Sequence, residues 1–518
     1  MLIGRGFRIV HNTEHTPLEH GKDIIAVAAD TKLVGFQLKG NPGKSLKPRQ
    51  FDEIRGQLEQ LATLALGLPG YETRVPDECY LVTNGEIDEA VSIEIQRLNA
   101  ALEARGHAPE KIKTITRGTL LNWANDLGLA LWPSEMEDFG NLVKLLNYTG
   151  SEIFPANIFD PLLQNTLRLE HEVPPPELRR RITSAAIMTA VALHSFSRKQ
   201  NHFAEITAWT MFTTYTIAAS EKNGLAFEKD VEAAVDAAHE AIYDLLSEMC
   251  EELRDRKTLA EGDPFSEFAF YRARALLIFA LMGTYWMWSE AKGWKQPEHK
   301  ALTEKLIPED IPPSIWGEAA IPQFLTYVWY RKRISRDSTL DQRVATVLRD
   351  IMRNKLTEDA NHLASPYYDI EDVTRHNHAE LLRCDDPFGG GSFAGTSYVC
   401  ETLMMCIVRA GMKEACQALW PDFTRMNHEK TIPDDAWRFG LYRMGDHAAD
   451  DTRIYPTTMQ WKELQEIAAE HAGSEVPQAL KTYPIQLLLF VIIFPFRGSF
   501  SAMKFLHKHF DTTAAGPS

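Results

Sequence analysis

Cysteine is scarce in this chain: six residues in 518, at positions 79, 250, 384, 400, 406 and 416, with no CxxC pair. That scarcity excludes a dense disulfide framework and a zinc cassette, and it fits a reducing, cytoplasmic setting. Long apolar runs are missing too. The longest, Leu487–Phe496, is half of the roughly 20 residues a membrane-spanning helix needs, and Pro495 interrupts its end. The opening stretch MLIGRGFRIVHNTEHT has no apolar core of a secretory signal. Positive charge is not in excess: 55 basic against 71 acidic residues give a net charge of −16. A protein that coats nucleic acid by bulk electrostatics is thereby excluded, whereas a localised basic site is not. No fixed internal period is found, although helix–turn–helix passages such as Ile182–Ala219 are compatible with a helical-repeat array, a reading that stays open.

What is present is ample material for large cores, with 44% hydrophobic and 10% aromatic residues, over a length that implies at least two folding units. The texture changes near residue 150. Before it, short apolar strands (Phe7–Val10, Asp23–Ala28, Val34–Leu38, Cys79–Thr83, Lys113–Thr116) alternate with amphipathic helices at 50–66, 88–105 and 119–129, an α/β pattern. Between Phe154 and Glu177 lie Pro155, Pro161 and Pro174–Pro176, which predict a linker over 151–176. Beyond it, helical spacing recurs at 178–220, 228–257, 264–291, 338–355, 397–419 and 459–472, and residues 177–518 read as all-α. Tyr285, Trp286 and Trp288, on one helix with Phe279 and Leu281, read as core.

The chemistry-bearing stretch is Gly21–Gly40, GKDIIAVAADTKLVGFQLKG. Asp23 opens one strand, Asp30-Thr31 makes a turn, and Val34–Lys39 returns antiparallel. With a two-residue turn Asp23 lies opposite Leu38; with one more turn residue it lies opposite Gln37. Gln37 and Lys39 share a face, because side chains alternate along a strand. A carboxylate, an amide and an ammonium therefore meet at one spot. Mg²⁺ prefers hard oxygen ligands, so Asp23, the Gln37 amide and the Leu38 carbonyl make a plausible seat, with Mn²⁺ as a substitute. A lysine beside such an ion stabilises growing negative charge on a phosphate and orients the attacking water, a role that suits Lys39.

Asp23…Gln37-Leu38-Lys39 resembles the PD-(D/E)xK nuclease superfamily, within it the Mrr-like restriction endonuclease branch, where the second motif often reads QxK. The order that follows is similar as well: a helix (FDEIRGQLEQL), a strand ending in LVTNGEIDEA, a helix, a strand and ITRGTLLNWA. The resemblance covers about 115 residues, from roughly 7 to 125, and none of the helical part. It implies a restriction-endonuclease-like fold, with a central mixed sheet flanked by helices over residues 1–150, Mg²⁺-dependent hydrolysis of nucleic acid, DNA first, and a setting in bacterial restriction or anti-phage defence. It also implies a homo-oligomer, since a unit with one site must pair to cut both strands. The large helical part would then sense a protein or small-molecule trigger, or assemble the protein. The alternative is an inactive nuclease-like platform that grips nucleic acid or a partner protein. Family members often open with a helix carrying a further acidic residue, whereas this chain opens with a strand; Glu19, four residues before Asp23, is the acidic residue placed to substitute.

Local charge agrees. Between Gly35 and Arg55, Lys39, Lys44, Lys47, Arg49 and Arg55 face only Asp52 and Glu53. Lys44, Lys47 and Arg49 are the candidates for contact with a nucleic-acid backbone. His11, His15 and His20 lie near the site in sequence and read as surface residues. Gly390–Ser397 spaces its glycines like a phosphate loop but has no lysine, so it reads as a connector. His376, His378, Asp446, His447, Asp450 and Asp451 match no metal-ligand spacing. Cys400 and Cys406 read as core.

Overall fold

The computed structural model describes residues 2, 7–12, 23–28, 30–40, 45–65, 74–126, 136–225, 228–255, 268–293, 315–335, 339–356, 395–442, 448–469 and 476–511. It divides into two compact units, Met1–Arg198 with Lys222–Ala238, and Lys199–Glu221 with His239–Ser518.

The first unit is built on a five-stranded sheet of β1 (Arg8–Asn12), β2 (Ile24–Val27), β3 (Leu33–Lys39), β5 (Glu78–Thr83) and β7 (Ile112–Ile115), in that order across the sheet. β1, β2 and β3 run antiparallel; β3, β5 and β7 run parallel. A short ladder of β4 (Ser45–Leu46) with β6 (Glu86–Ile87) stands apart from it. Parallel neighbours need crossover helices. α1 (Pro48–Thr63) links β3 to β5, and α2 (Glu89–Ala104) links β5 to β7. The expected mixed sheet with flanking helices is therefore present.

Alternation along the strands sorts the side chains into two cores. Ile25, Leu33, Cys79 and Leu81 meet the buried stripes of α1 (Phe51, Ile54, Leu58, Leu61) and α2 (Val91, Ile95, Leu98, Leu102). On the other face, Ala26, Val34, Phe36 and Ile115 pack with Leu120 and Trp123 of α3 (Arg117–Asp126). There Phe36 stacks on Tyr80, with ring centroids 5.3 Å apart. Gly35 lies where α1 crosses β3: a Cβ built on it would come within 2.7 Å of Leu61 Cδ1.

Residues 151–176 are not a linker. Ala156–Leu167 forms α5, with Phe159, Leu162, Leu163 and Leu167 fully buried, even though Pro161 lies inside it. Proline at that place removes one early helical hydrogen bond, and burial of four large side chains outweighs the loss. Pro175 and Pro176 occupy the first turn of α6 (Pro175–Ala192), where a missing N–H costs nothing. α5 is tied to α4 (Met136–Leu146) by Asn165, which donates to Asp138 at 2.8 Å, and to α6 by Arg181, which donates to the Thr166 carbonyl at 3.0 Å. Arg179 reaches Glu228 and Asp230 at 3.0 Å, so the return segment belongs here as well. The first unit thus extends to Arg198, well past the expected boundary at 150.

The second unit is mainly helical, as expected, but not all-α. β8 (Thr396–Ser397), β9 (Asn427–Pro433) and β10 (Ala448–Arg453) form a three-stranded sheet. Its strands, NHEKTIP and AADDTR, are polar and lack apolar alternation. Tyr285 and Trp288 are buried, as are Cys400 and Cys406, and burial pushes the Cys400 thiol up to about 12. Among the described residues, no helix is long and apolar enough to cross a membrane. A buried network ties Glu318 to Lys355 at 3.4 Å and to the Ser397 hydroxyl at 2.6 Å. His239 lies against Gln486 at 2.9 Å, and burial lowers its pKa to about 4; burial likewise lowers that of His507, which accepts a hydrogen bond from Trp329 at 3.0 Å.

Two outcomes follow. Gly35→Val should destabilise the first unit by about 1–3 kcal/mol, since the fully buried Leu61 side chain would have to shift; an unchanged denaturation midpoint would contradict the close crossing. The second concerns acid. An imidazole whose folded pKa is depressed binds fewer protons than in the unfolded chain, so stability is intact above about 6.5 and declines as pH falls toward 4. Each such histidine should contribute on the order of 1 kcal/mol per pH unit in that window. Urea titrations at pH 7.5, 6, 5 and 4 should show the decline, reduced in His239→Gln; a flat profile would contradict neutral burial.

Candidate functional site

The turn between β2 and β3 decides the geometry. Ala28 N–H donates to the Lys32 carbonyl at 2.9 Å, Thr31 has φ of 67°, and Ile24 stands opposite Phe36. This is the longer of the two turns that the sequence allows, with its left-handed residue just before the strand resumes. Asp23 therefore faces Gln37. Its N–H donates to the Phe36 carbonyl at 3.0 Å, and its Oδ2 accepts from Gln37 Nε2 at 2.7 Å. The same oxygen accepts from the Leu38 main-chain N–H.

Gln37 is 6% exposed, and its other amide atom, Oε1, has no hydrogen-bond partner among the described residues. With Nε2 committed to a carboxylate, the amide orientation is settled, and a buried acceptor is left over. The Leu38 N–H points toward the β2 side of the strand, and a residue's carbonyl points the same way as its N–H. Its side chain falls on the opposite face and is 44% exposed. Lys39 shares the Gln37 face, lies level with Thr83 of β5, is half-buried and makes no ion pair with a described residue. Asp23, Gln37, Leu38 and Lys39 are thus brought together, at the C-terminal end of a parallel strand, the edge where open α/β sheets place their ligands.

The other expected residues divide. Lys47 caps α1 and pairs with Asp88 at 2.8 Å, which holds the Asp88 carboxyl below the usual range; Asp88 in turn accepts from Ala90 N–H as the cap of α2. Lys47 is a clamp between two helix starts. Arg49 is exposed in the first turn of α1. Glu19, Lys44, His15 and His20 lie outside the described residues, as do His376, His378, Asp446, His447 and the Gly390–Ala394 part of the glycine-rich stretch. Sequence reading missed the loops on the same sheet edge: Gly85 N–H is held by Thr83 Oγ1 at 3.1 Å, and the Gly85 carbonyl accepts from Arg117 N–H at 3.0 Å. Parallel β3, β5 and β7 end on one edge, so the βαβ pattern is the signal that points to those loops.

A carboxylate, an unpartnered buried amide oxygen and a main-chain carbonyl form an all-oxygen donor set of the kind Mg²⁺ takes, so these residues fit such an ion. Among the described residues, no group of three or more His, Cys, Asp or Glu is placed to hold a metal. No family model matches the chain, and no curated protein or solved structure matches it.

Removing the carboxylate strands two donors. Asp23→Ala should lower stability by about 1–3 kcal/mol while leaving the chain folded, measured by urea denaturation; an unaltered midpoint would mean that the Asp23 bonds to Gln37 and Leu38 carry no weight.

Proposed function

We propose that the first unit hydrolyses phosphodiester bonds of nucleic acid, DNA first, with Mg²⁺ as cofactor and Mn²⁺ able to substitute. The observation that carries this reading is the Asp23–Gln37 hydrogen bond at one sheet edge, with Lys39 two residues further along the same strand face and the Gln37 Oε1 atom buried and without a partner among the described residues. The resemblance of Asp23…Gln37-Leu38-Lys39 to the PD-(D/E)xK pattern supports the same chemistry, as does the sheet with helices on both faces. A role in restriction or anti-phage defence follows from that resemblance.

Asp23, the Gln37 amide oxygen and the Leu38 carbonyl would hold the ion. When bound, it supplies charge to a phosphoryl oxygen and lowers the pKa of a water. Gln37 and the Leu38 N–H fix the Asp23 carboxylate from one side, so its ligand position is set before substrate arrives. Lys39, an ammonium with no described ion-pair partner, stabilises negative charge growing on the phosphate and orients the attacking water. Exposed Arg49 is available for the backbone on either side of the scissile bond, whereas Lys47 is already paired. A net charge of −16 keeps nucleic acid off most of the surface and confines contact to this edge.

Purified full-length protein incubated with plasmid, linear DNA and RNA should cleave nucleic acid with Mg²⁺ or Mn²⁺ and not with EDTA. Asp23→Ala and Lys39→Ala should each lower the rate by a factor of roughly 100 or more, Gln37→Ala should weaken it, and Gln37→Glu should keep or raise it. Cleavage undiminished in Asp23→Ala would refute the site.

A further inference from the structure

The helix Lys413–Phe423 carries Lys413, Cys416 and Trp420 at i, i+3 and i+7, which is one face of a helix. Together with Met459, Trp461 and Leu464, at the start of the helix Trp461–Ala469, they line a cavity of about 220 Å³ within the second unit. Two indoles, a thioether and a leucine make its walls apolar and aromatic. One polar group is set into them: Trp420 is 9% exposed, and its buried Nε1–H has no hydrogen-bond partner among the described residues. The ring is held in place. Phe423 stacks on it with centroids 5.3 Å apart, Tyr455 meets it edge-on at 5.9 Å, and the Tyr455 hydroxyl is itself anchored to Glu401. Lys413 is exposed in the first turn and makes no ion pair with a described residue, so its charge adds to the positive end of the helix dipole. Glu414, the acidic residue of that turn, is not among those lining the cavity. Cys416 brings no charge either, because burial pushes its thiol up to about 12 and it packs as a small apolar group.

We propose that this cavity binds a small aromatic carboxylate, its ring against Trp420 and Trp461 and its carboxylate beside Lys413, with the Trp420 Nε1–H donating to an oxygen of the ligand. Volume, walls and charge each narrow the class. An apolar cavity of about 150 Å³ takes benzene, so this one has room for one or two fused rings with a substituent. Indole walls favour a flat ring over an aliphatic body, through offset and edge-to-face contacts. A lone ammonium suits a carboxylate, whereas a phosphate group is typically held by several donors, an arginine fork among them. An unpartnered buried donor alone marks no site, since Trp316 Nε1 is in the same state. At Trp420 it comes with a cavity, a second indole and an ammonium.

The proposal concerns the second unit and rests on none of the chemistry proposed for the first, so its test reads binding and not cleavage. Ligand-observed NMR titration of the full-length chain with 1-naphthoate should show saturable binding. The neutral analogue 1-naphthamide and the non-aromatic cyclohexanecarboxylate should bind about tenfold more weakly or worse. Lys413→Ala should weaken 1-naphthoate about tenfold and leave the amide unchanged, Lys413→Arg should retain the carboxylate, and Trp461→Ala should weaken both aromatic probes. Circular dichroism and the thermal midpoint establish that each variant is folded, which these exposed and half-buried positions favour. No saturable binding of 1-naphthoate overturns the proposal, as does binding indifferent to both Lys413→Ala and Trp461→Ala. Equal affinity for the amide overturns the assignment of an anion.

Discussion

The register between β2 and β3 is the constraint on which the candidate site depends. Side chains alternate with a period of two, so a slip of one residue would turn Gln37 and Lys39 away from Asp23 and carry the Ile24–Val27 pattern to the wrong core. The turn prevents the slip. Thr31 in the left-handed region and the Ala28–Lys32 hydrogen bond fix one extra residue in the connection, and that residue places Asp23 opposite Gln37. Three features then reinforce one another: the paired strands aim the carboxylate, the carboxylate holds the Gln37 amide and the Leu38 N–H, and Gly35 admits α1 against the strand that carries them.

Much of this was legible in the chain because strand alternation and turn chemistry are local signals. Every strand of the first sheet was readable, and the two possible registers of Gly21–Gly40 included the observed one. What stayed illegible depended on tertiary burial. Pro161 is a helix breaker by local rules, yet α5 keeps it because Phe159, Leu162, Leu163 and Leu167 are fully buried. β9 and β10 escaped notice because their residues, NHEKTIP and AADDTR, show no apolar alternation; the strands are held by each other's main chains. The extent of the first unit was hidden because the return segment around Glu228 and Asp230 is joined by Arg179, an ion-pair partner about 50 residues away in the chain.

Buried ion pairs in the second unit are neutralised internally: Glu318 with Lys355 and Ser397, and Lys332 with Asp341 at 2.5 Å and Asp511 at 2.9 Å. Removing one member of such a group leaves an uncompensated charge, so these networks fix the packing of their helices. In the first unit, the Gln37 Oε1 atom is left without a partner next to a carboxylate. A buried acceptor with no described donor costs stability unless a water or an ion occupies it; several other buried atoms, the Gln323 Oε1 among them, share that state, and it is the neighbouring Asp23 carboxylate that sets this spot apart as the proposed cation seat.

The most direct test of that reading is calorimetric titration of Mn²⁺ into the full-length chain and into Asp23→Ala, with no nucleic acid present. The account expects one bound ion per chain, lost in Asp23→Ala and strengthened in Gln37→Glu. Equal binding by the native chain and Asp23→Ala, or no binding by either, would contradict it.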